Sequence, residues 1–85
     1  VFMMVKTRNH SGTWLEAFRQ HVLSIPEVTD FYRIGGEYDY MLKVTTSDMR
    51  NYDRIYQILI QKLDLEKVTS YFSMEAIAEG RPIEP

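Results

Sequence analysis

No cysteine occurs in this 85-residue sequence, which excludes a disulfide framework and a thiolate metal site. The only histidines, His10 and His21, do not form a ligand pair at metal spacing. No apolar run approaches the ~18 residues of a transmembrane helix. The start, Val1-Phe2-Met3-Met4-Val5, lacks the basic region and long apolar stretch of a signal peptide. Positive charge is in deficit: ten Lys and Arg stand against twelve Asp and Glu, for a net charge of −2. That balance argues against a nucleic-acid footprint on this domain. There is no Walker loop, and Gly35-Gly36 does not match the dinucleotide fingerprint. Ser11 beside His10 has no orienting acid, and no pair of carboxylates is set apart for acid–base work. The sequence therefore reads as neither an enzyme nor a metal or cofactor carrier, with no membrane contact.

What is present is an ordinary globular balance, 45% hydrophobic and 26% charged, in a chain long enough for one domain spanning 1–85. A domain of this size buries only about 60–65% of its unfolded surface, and the thin core favours a partner. The chain begins without Met, as a processed or excised piece would.

Periodicity gives six elements. An apolar, β-compatible run covers Val1 to Lys6. Trp14, Phe18 and Val22 at i, i+4 and i+8 then mark a helix from Thr13, capped by Ser11 or Thr13 and limited by Pro26. On that helix His21 reads as a solvated residue and Trp14 as a core anchor. Glu27 to Ile34 reads as strand, and Tyr38 to Val44 as its partner across a double-glycine turn. Thr45-Thr46-Ser47-Asp48 caps a second helix reaching about Leu63, with Tyr52, Ile55, Tyr56, Leu59 and Leu63 as its apolar stripe. Asp64 to Lys67 reads as a connection and Val68 to Ile77 as the last strand. The order β-α-β-β-α-β predicts an α+β ferredoxin-like sandwich: a four-stranded antiparallel sheet with two helices on one face.

The strands carry apolar residues on both faces. Val1, Met3 and Val5 oppose Phe2 and Met4, while Phe72, Met74 and Ala76 alternate with Tyr71, Ser73, Glu75 and Ile77. An open apolar face predicts a homodimer dimerising through the sheets, broken by a charge at Met3 or Met74. Scattered surface apolars on a monomer are the competing reading. The turn itself is the strongest functional signal. Adjacent Gly35 and Gly36 permit positive φ and close approach to the main chain, and Asp39 at the mouth can accept a ligand ammonium. Those features suit a small zwitterion such as an amino acid; a tight hairpin with a solvated Asp uses the same residues. Tyr38 and Tyr40 lack the basic, glycine-aromatic setting of an RNA-binding module.

Four segments together carry a family resemblance: Pro26-Glu27-Val28, Gly36-Glu37-Tyr38-Asp39-Tyr40, Asp48-Met49-Arg50-Asn51-Tyr52 and Thr69-Ser70-Tyr71-Phe72-Ser73-Met74-Glu75. The chain resembles, over nearly its whole length, the effector-binding (RAM) domain of the Lrp/AsnC (feast/famine) transcriptional regulators. The resemblance implies a cytoplasmic regulator whose sheet-to-sheet dimers assemble further, to an octamer or other higher oligomer. It also implies an amino-acid effector bound near subunit interfaces. Carried over by position, the effector residues are Gly35, Gly36, Tyr38 and Asp39, with Met49, Tyr71 and Ser73 at the pocket or assembly contact. The position of Gly35 is often threonine in the family. The family's helix-turn-helix is absent from this chain, so no direct nucleic-acid contact is expected of it. In this frame backbone N–H groups near Gly35-Gly36 form a nest for the carboxylate. Asp39 takes the ammonium, so Asp39→Ala is expected to weaken binding and leave the fold intact. The alternative from another class is a small dimeric α+β-barrel enzyme, monooxygenase-like or haem-degrading, with a polar or histidine-bearing cavity.

Overall fold

A computed structural model describes residues 1–61 and 65–83. The elements run β1 (Phe2–Thr7), α1 (Gly12–Leu23), β2 (Val28–Arg33), β3 (Tyr40–Val44), α2 (Met49–Ile60) and β4 (Leu65–Tyr71). The strands form one sheet in the order β2-β3-β1-β4, and every neighbouring pair is antiparallel. This is the expected ferredoxin-like arrangement.

Each helix starts where a side chain replaces a missing backbone acceptor. Ser11 Oγ accepts from Trp14 N–H at 3.2 Å, and Asp48 Oδ1 accepts from Asn51 N–H at 2.8 Å. On β1 and β3 burial alternates with the pleat. Met3, Val5 and Thr7, like Tyr40, Leu42 and Val44, are buried, while Phe2, Met4, Lys6, Met41 and Lys43 are half-buried. The buried set packs with Phe18 and Val22 of α1 and Ile55 and Leu59 of α2 in one core. Both helices cover the same sheet face. Phe18 packs on Tyr40, which pairs with Val5, and Tyr52 hydrogen-bonds Ser70, which pairs with Met3. His21 joins the helices, its Nε2 lying 2.7 Å from the Ile58 carbonyl oxygen. It is a half-buried link between elements rather than a solvated helix residue.

The last strand is shorter than its residue pattern predicts. β4 is an edge strand whose only neighbour is β1, and β1 runs out where Phe2 meets Tyr71. Beyond Tyr71 no ladder partner exists, and the described residues 72–83 hold no strand. Met74 and Ile77 are 95% and 89% exposed, while Phe72 turns onto the Tyr52 ring at 5.4 Å. At its start β4 takes in Leu65 to Lys67, expected as connection; Leu63 and Asp64 lie outside the described residues. Met3 is fully buried on the helix side and Met74 is outside the sheet, so neither belongs to the open face.

Register shows what does. Met4 pairs with Met41 and Thr69, and Phe2 with Lys43 and Tyr71. On β2, Tyr32 pairs with Met41 and Asp30 with Lys43. The open face thus has an apolar centre with a charged margin.

Candidate functional site

The link between β2 and β3 is a six-residue loop, 34–39, rather than a tight two-residue hairpin. Its base is closed by Ile34 N–H donating to the Asp39 carbonyl at 2.9 Å. Of the two glycines only Gly36 has positive φ, at 116°. Asp39 N–H donates to the Val5 carbonyl at 2.9 Å, which pins the loop's exit to β1.

The Asp39 carboxylate is held at one oxygen. Its Oδ2 accepts from the Thr7 N–H at 2.9 Å and from the Thr7 hydroxyl at 3.3 Å. Thr7 is 2% exposed, and this carboxylate satisfies it. Among the described residues no hydrogen bond to Oδ1 is found, and Asp39 lines a cleft of about 330 Å³. That cleft lies between the start of α1 and the end of the sheet, lined by His10, Leu15, Arg19, Arg33, Asp39 and Tyr40. A second hollow of about 240 Å³ adjoins it, sharing Arg19, Arg33 and Tyr40 and adding Leu23 and Phe31. The floor is aromatic: the Phe31 and Tyr40 rings lie 5.6 Å apart, both against Phe18.

The residues singled out by sequence are not brought together in one chain. Gly35, Gly36 and Asp39 share the loop, but Tyr38 leaves it toward the open face. Its hydroxyl meets Thr69 Oγ1 at 2.8 Å, and the Lys67 ammonium sits 5.6 Å above its ring. The Tyr38 phenol, and next the Glu37 charge, hold that ammonium above its usual range. Met49 opens α2 and is 60% exposed, Tyr71 ends β4, and Ser73 follows it. All three lie toward the Phe2 end of β1, whereas Asp39 lies at the Thr7 end. Five residues of strand at ~3.3 Å each separate those ends by about 17 Å. Ser73 lines another hollow, with Val1, Phe2 and Lys43, beside the Lys43–Glu79 ion pair at 3.6 Å.

The structure adds Thr7, Arg19 and Arg33, which sequence reasoning passed over. A signal existed for Arg19: Leu15, Arg19 and Leu23 stand at i, i+4 and i+8, one stripe along the flank of α1. Chemically the site offers one fixed carboxylate, two guanidinium groups and an aromatic floor. These are means of binding a small charged molecule. Among the described residues no group of three or more His, Asp or Glu could hold a metal ion, and no helix is long and apolar enough to cross a membrane.

The model of the family described as Lrp/AsnC ligand binding domain matches residues 1–83. The chain is 43% identical over 77 residues to the DNA-binding transcriptional activator DecR of Escherichia coli, covering 89% of this chain and 51% of that protein. It is 40% identical over 77 residues to the glutamate uptake regulatory protein of Zymomonas mobilis, covering 91% and 47%. The chain thus spans about half the length of the curated relatives it matches. Among solved structures, an AsnC family transcriptional regulator from Agrobacterium tumefaciens superposes with a TM-score of 0.87 at 37% identity, covering 98% of this chain and 54% of that one. A transcriptional regulator from Neisseria meningitidis, solved as an L-Met complex, superposes at 0.82 with 25% identity, covering 92% and 51%.

Proposed function

The chain belongs to the Lrp/AsnC ligand binding domain family, whose named members are transcriptional regulators and not enzymes, and from that premise we propose that it is the amino-acid-sensing and oligomerisation domain of such a regulator. The observation that carries the reading is Asp39. Thr7 fixes its carboxylate at one oxygen, and the residue lines a cleft large enough for a small molecule. A fixed anion in a cleft is a charge-assisted acceptor for an α-ammonium. Backbone N–H groups near Gly35 and Gly36 then serve the α-carboxylate. The Neisseria relative's complex with L-Met supports an amino acid as the class of effector.

In this reading the open sheet face, centred on Met4 and Met41, joins two copies into a dimer. Dimers assemble further, and a second copy brings Met49, Tyr71 and Ser73 of one subunit toward the loop of another. A ligand bound where copies meet favours whichever assembly completes its pocket, and so biases oligomeric state. DNA contact falls to a part of the regulator outside this chain, and the regulator works in the cytoplasm. The enzyme alternative has no support in the cleft, which offers no nucleophile paired with a base, or in the family.

A thermal-shift screen of the twenty amino acids beside light scattering tests the proposal. A ligand at 100 times its Kd adds ~2.7 kcal/mol. For a domain of this size, at ~4–8 °C per kcal/mol, that is a rise of roughly 10–20 °C. The expected result is at least one such hit, lost in Asp39→Asn, with a change of mass. No shift with any amino acid sinks the reading.

A further inference from the structure

We infer that the cleft is selective for an amino acid with a negatively charged side chain, and that Arg19 and Arg33 are the residues that select it. The inference rests on the amino-acid reading of Asp39 and adds the chemical class of the effector.

The first argument is charge. Arg19 and Arg33 line both lobes of the cleft, and Asp39 is the one carboxylate that lines either. With His10 neutral the lining carries a net positive charge. A zwitterionic amino acid leaves that excess in place. An amino acid with a second carboxylate cancels it, with its ammonium on Asp39 and its side-chain carboxylate on the arginines.

The second argument is that these arginines have nothing else to do. Arg54 pairs with Glu27 and Lys43 with Glu79. Among the described residues, neither Arg19 nor Arg33 pairs with a carboxylate. They come from different elements, α1 and the end of β2, and converge on one hollow. They share that hollow with the Phe31 and Tyr40 rings. Guanidinium presents a planar fork that matches a carboxylate with two parallel bonds, a geometry a neutral amide side chain cannot return.

The third argument is division of the cleft. Asp39, His10 and Ile34 line only the lobe nearer the loop, and Leu23 and Phe31 only the other. The α-ammonium belongs with Asp39, so the side chain extends along the shared wall of Arg19, Arg33 and Tyr40. A site that binds a charged group in this way rejects the uncharged analogue, because the site's own charges are then left unmatched.

Calorimetry on the whole chain with L-glutamate, L-aspartate, L-glutamine and L-asparagine tests the inference, on the parent and on Arg19→Gln, Arg33→Gln and Asp39→Asn. Both arginines are exposed, so their variants keep the fold, which circular dichroism checks. The expected result is that an acid binds at least about tenfold more tightly than its amide. Either arginine variant removes that preference by weakening acid binding well beyond any effect on the amide, while Asp39→Asn weakens acid and amide alike. Acids and amides binding equally, or falling equally in the arginine variants, with Asp39 still required, overturns the selectivity and leaves the amino-acid reading standing. If none of the four ligands binds, nor any other amino acid, both readings fall together.

Discussion

Thr7 gives both its backbone N–H and its hydroxyl to a single oxygen of Asp39, at 2.9 and 3.3 Å. The end of β1 is thereby tied to the exit of the β2–β3 loop by a charged acceptor. Bonds to charged groups contribute ~1.5–3 kcal/mol, and a buried donor left without an acceptor costs ~1–3 kcal/mol. Asp39→Ala is therefore expected to cost stability as well as effector binding. We predict that it lowers the urea unfolding free energy by about 1–3 kcal/mol. Asp39→Asn keeps an amide oxygen for Thr7 and loses less, yet loses the anion that an effector ammonium needs. An alanine variant as stable as the parent would show that the Thr7 bonds are not worth having.

The two glycines of the loop make separable predictions. Gly36 has φ of 116°, a region L-residues rarely adopt, while Gly35 has no positive φ. A Cβ on either meets nothing within 4 Å, so crowding plays no part and only backbone strain separates them. Gly36→Ala is expected to cost about 1–3 kcal/mol in a denaturant melt. Gly35→Ala is expected to be neutral or slightly stabilising, because it restricts the unfolded chain. Gly35→Thr should likewise fold as well as the parent. Equal losses at both positions would mean that the loop is set by something other than the φ of Gly36.

What the sequence revealed and concealed follows from the range of each interaction. Element order was legible because the stripe Trp14, Phe18, Val22 and the alternation in β1 and β3 are local patterns with their own periods. Ser11 and Asp48 announced their helices for the same reason. The end of β4 was not legible: Phe72 to Ile77 keep alternating, and only the length of β1, seventy residues earlier by the Phe2 to Phe72 separation, decides that the ladder stops. His21 looked solvated because its partner, the Ile58 carbonyl, lies 37 residues away. The loop glycines and Asp39 stood out as an opening, but Tyr38 and Asp39, adjacent in sequence, part toward opposite sides of the sheet. Arg19 and Arg33 were passed over because they are far apart in sequence, and their convergence exists only once α1 lies beside β2.

The proposed sheet interface can be tested at residues of the open face. Met4 and Met41 are half-buried cross-strand partners at the centre of the open face. Met4→Glu or Met41→Glu is expected to give a monomer by light scattering with little loss of secondary structure, since an unpaired charge is costly only where a partner buries it. Met3→Glu is a different experiment: the side chain is 0% exposed in the core, and a charge there unfolds the chain. Met74→Glu is expected to leave the sheet contact alone, because Met74 stands outside the sheet. A dimer that survives both Met4→Glu and Met41→Glu would move the interface off this face.

Burial at the other side of the sheet gives a pH test. Tyr52 is 6% exposed, and burial pushes its phenol above the usual 10.0, with the bond to Ser70 pulling the other way. The folded state then holds a proton that the unfolded state releases. Stability contributed by the neutral phenol is complete below pH 10 and declines as pH rises toward the raised value. Lys67, also raised, acts in the same direction, but it is fully exposed and its interaction is screened by solvent. We predict that the urea midpoint of the parent falls above pH 10 and that Tyr52→Phe falls less over the same interval. At neutral pH Tyr52→Phe should itself cost about 0.5–1.5 kcal/mol, the net worth of the hydrogen bond to Ser70. The two effects have opposite signs, so the parent and variant curves converge as the solution becomes alkaline. Parallel curves would show that the Tyr52 phenol ionises alike in the folded and unfolded chains.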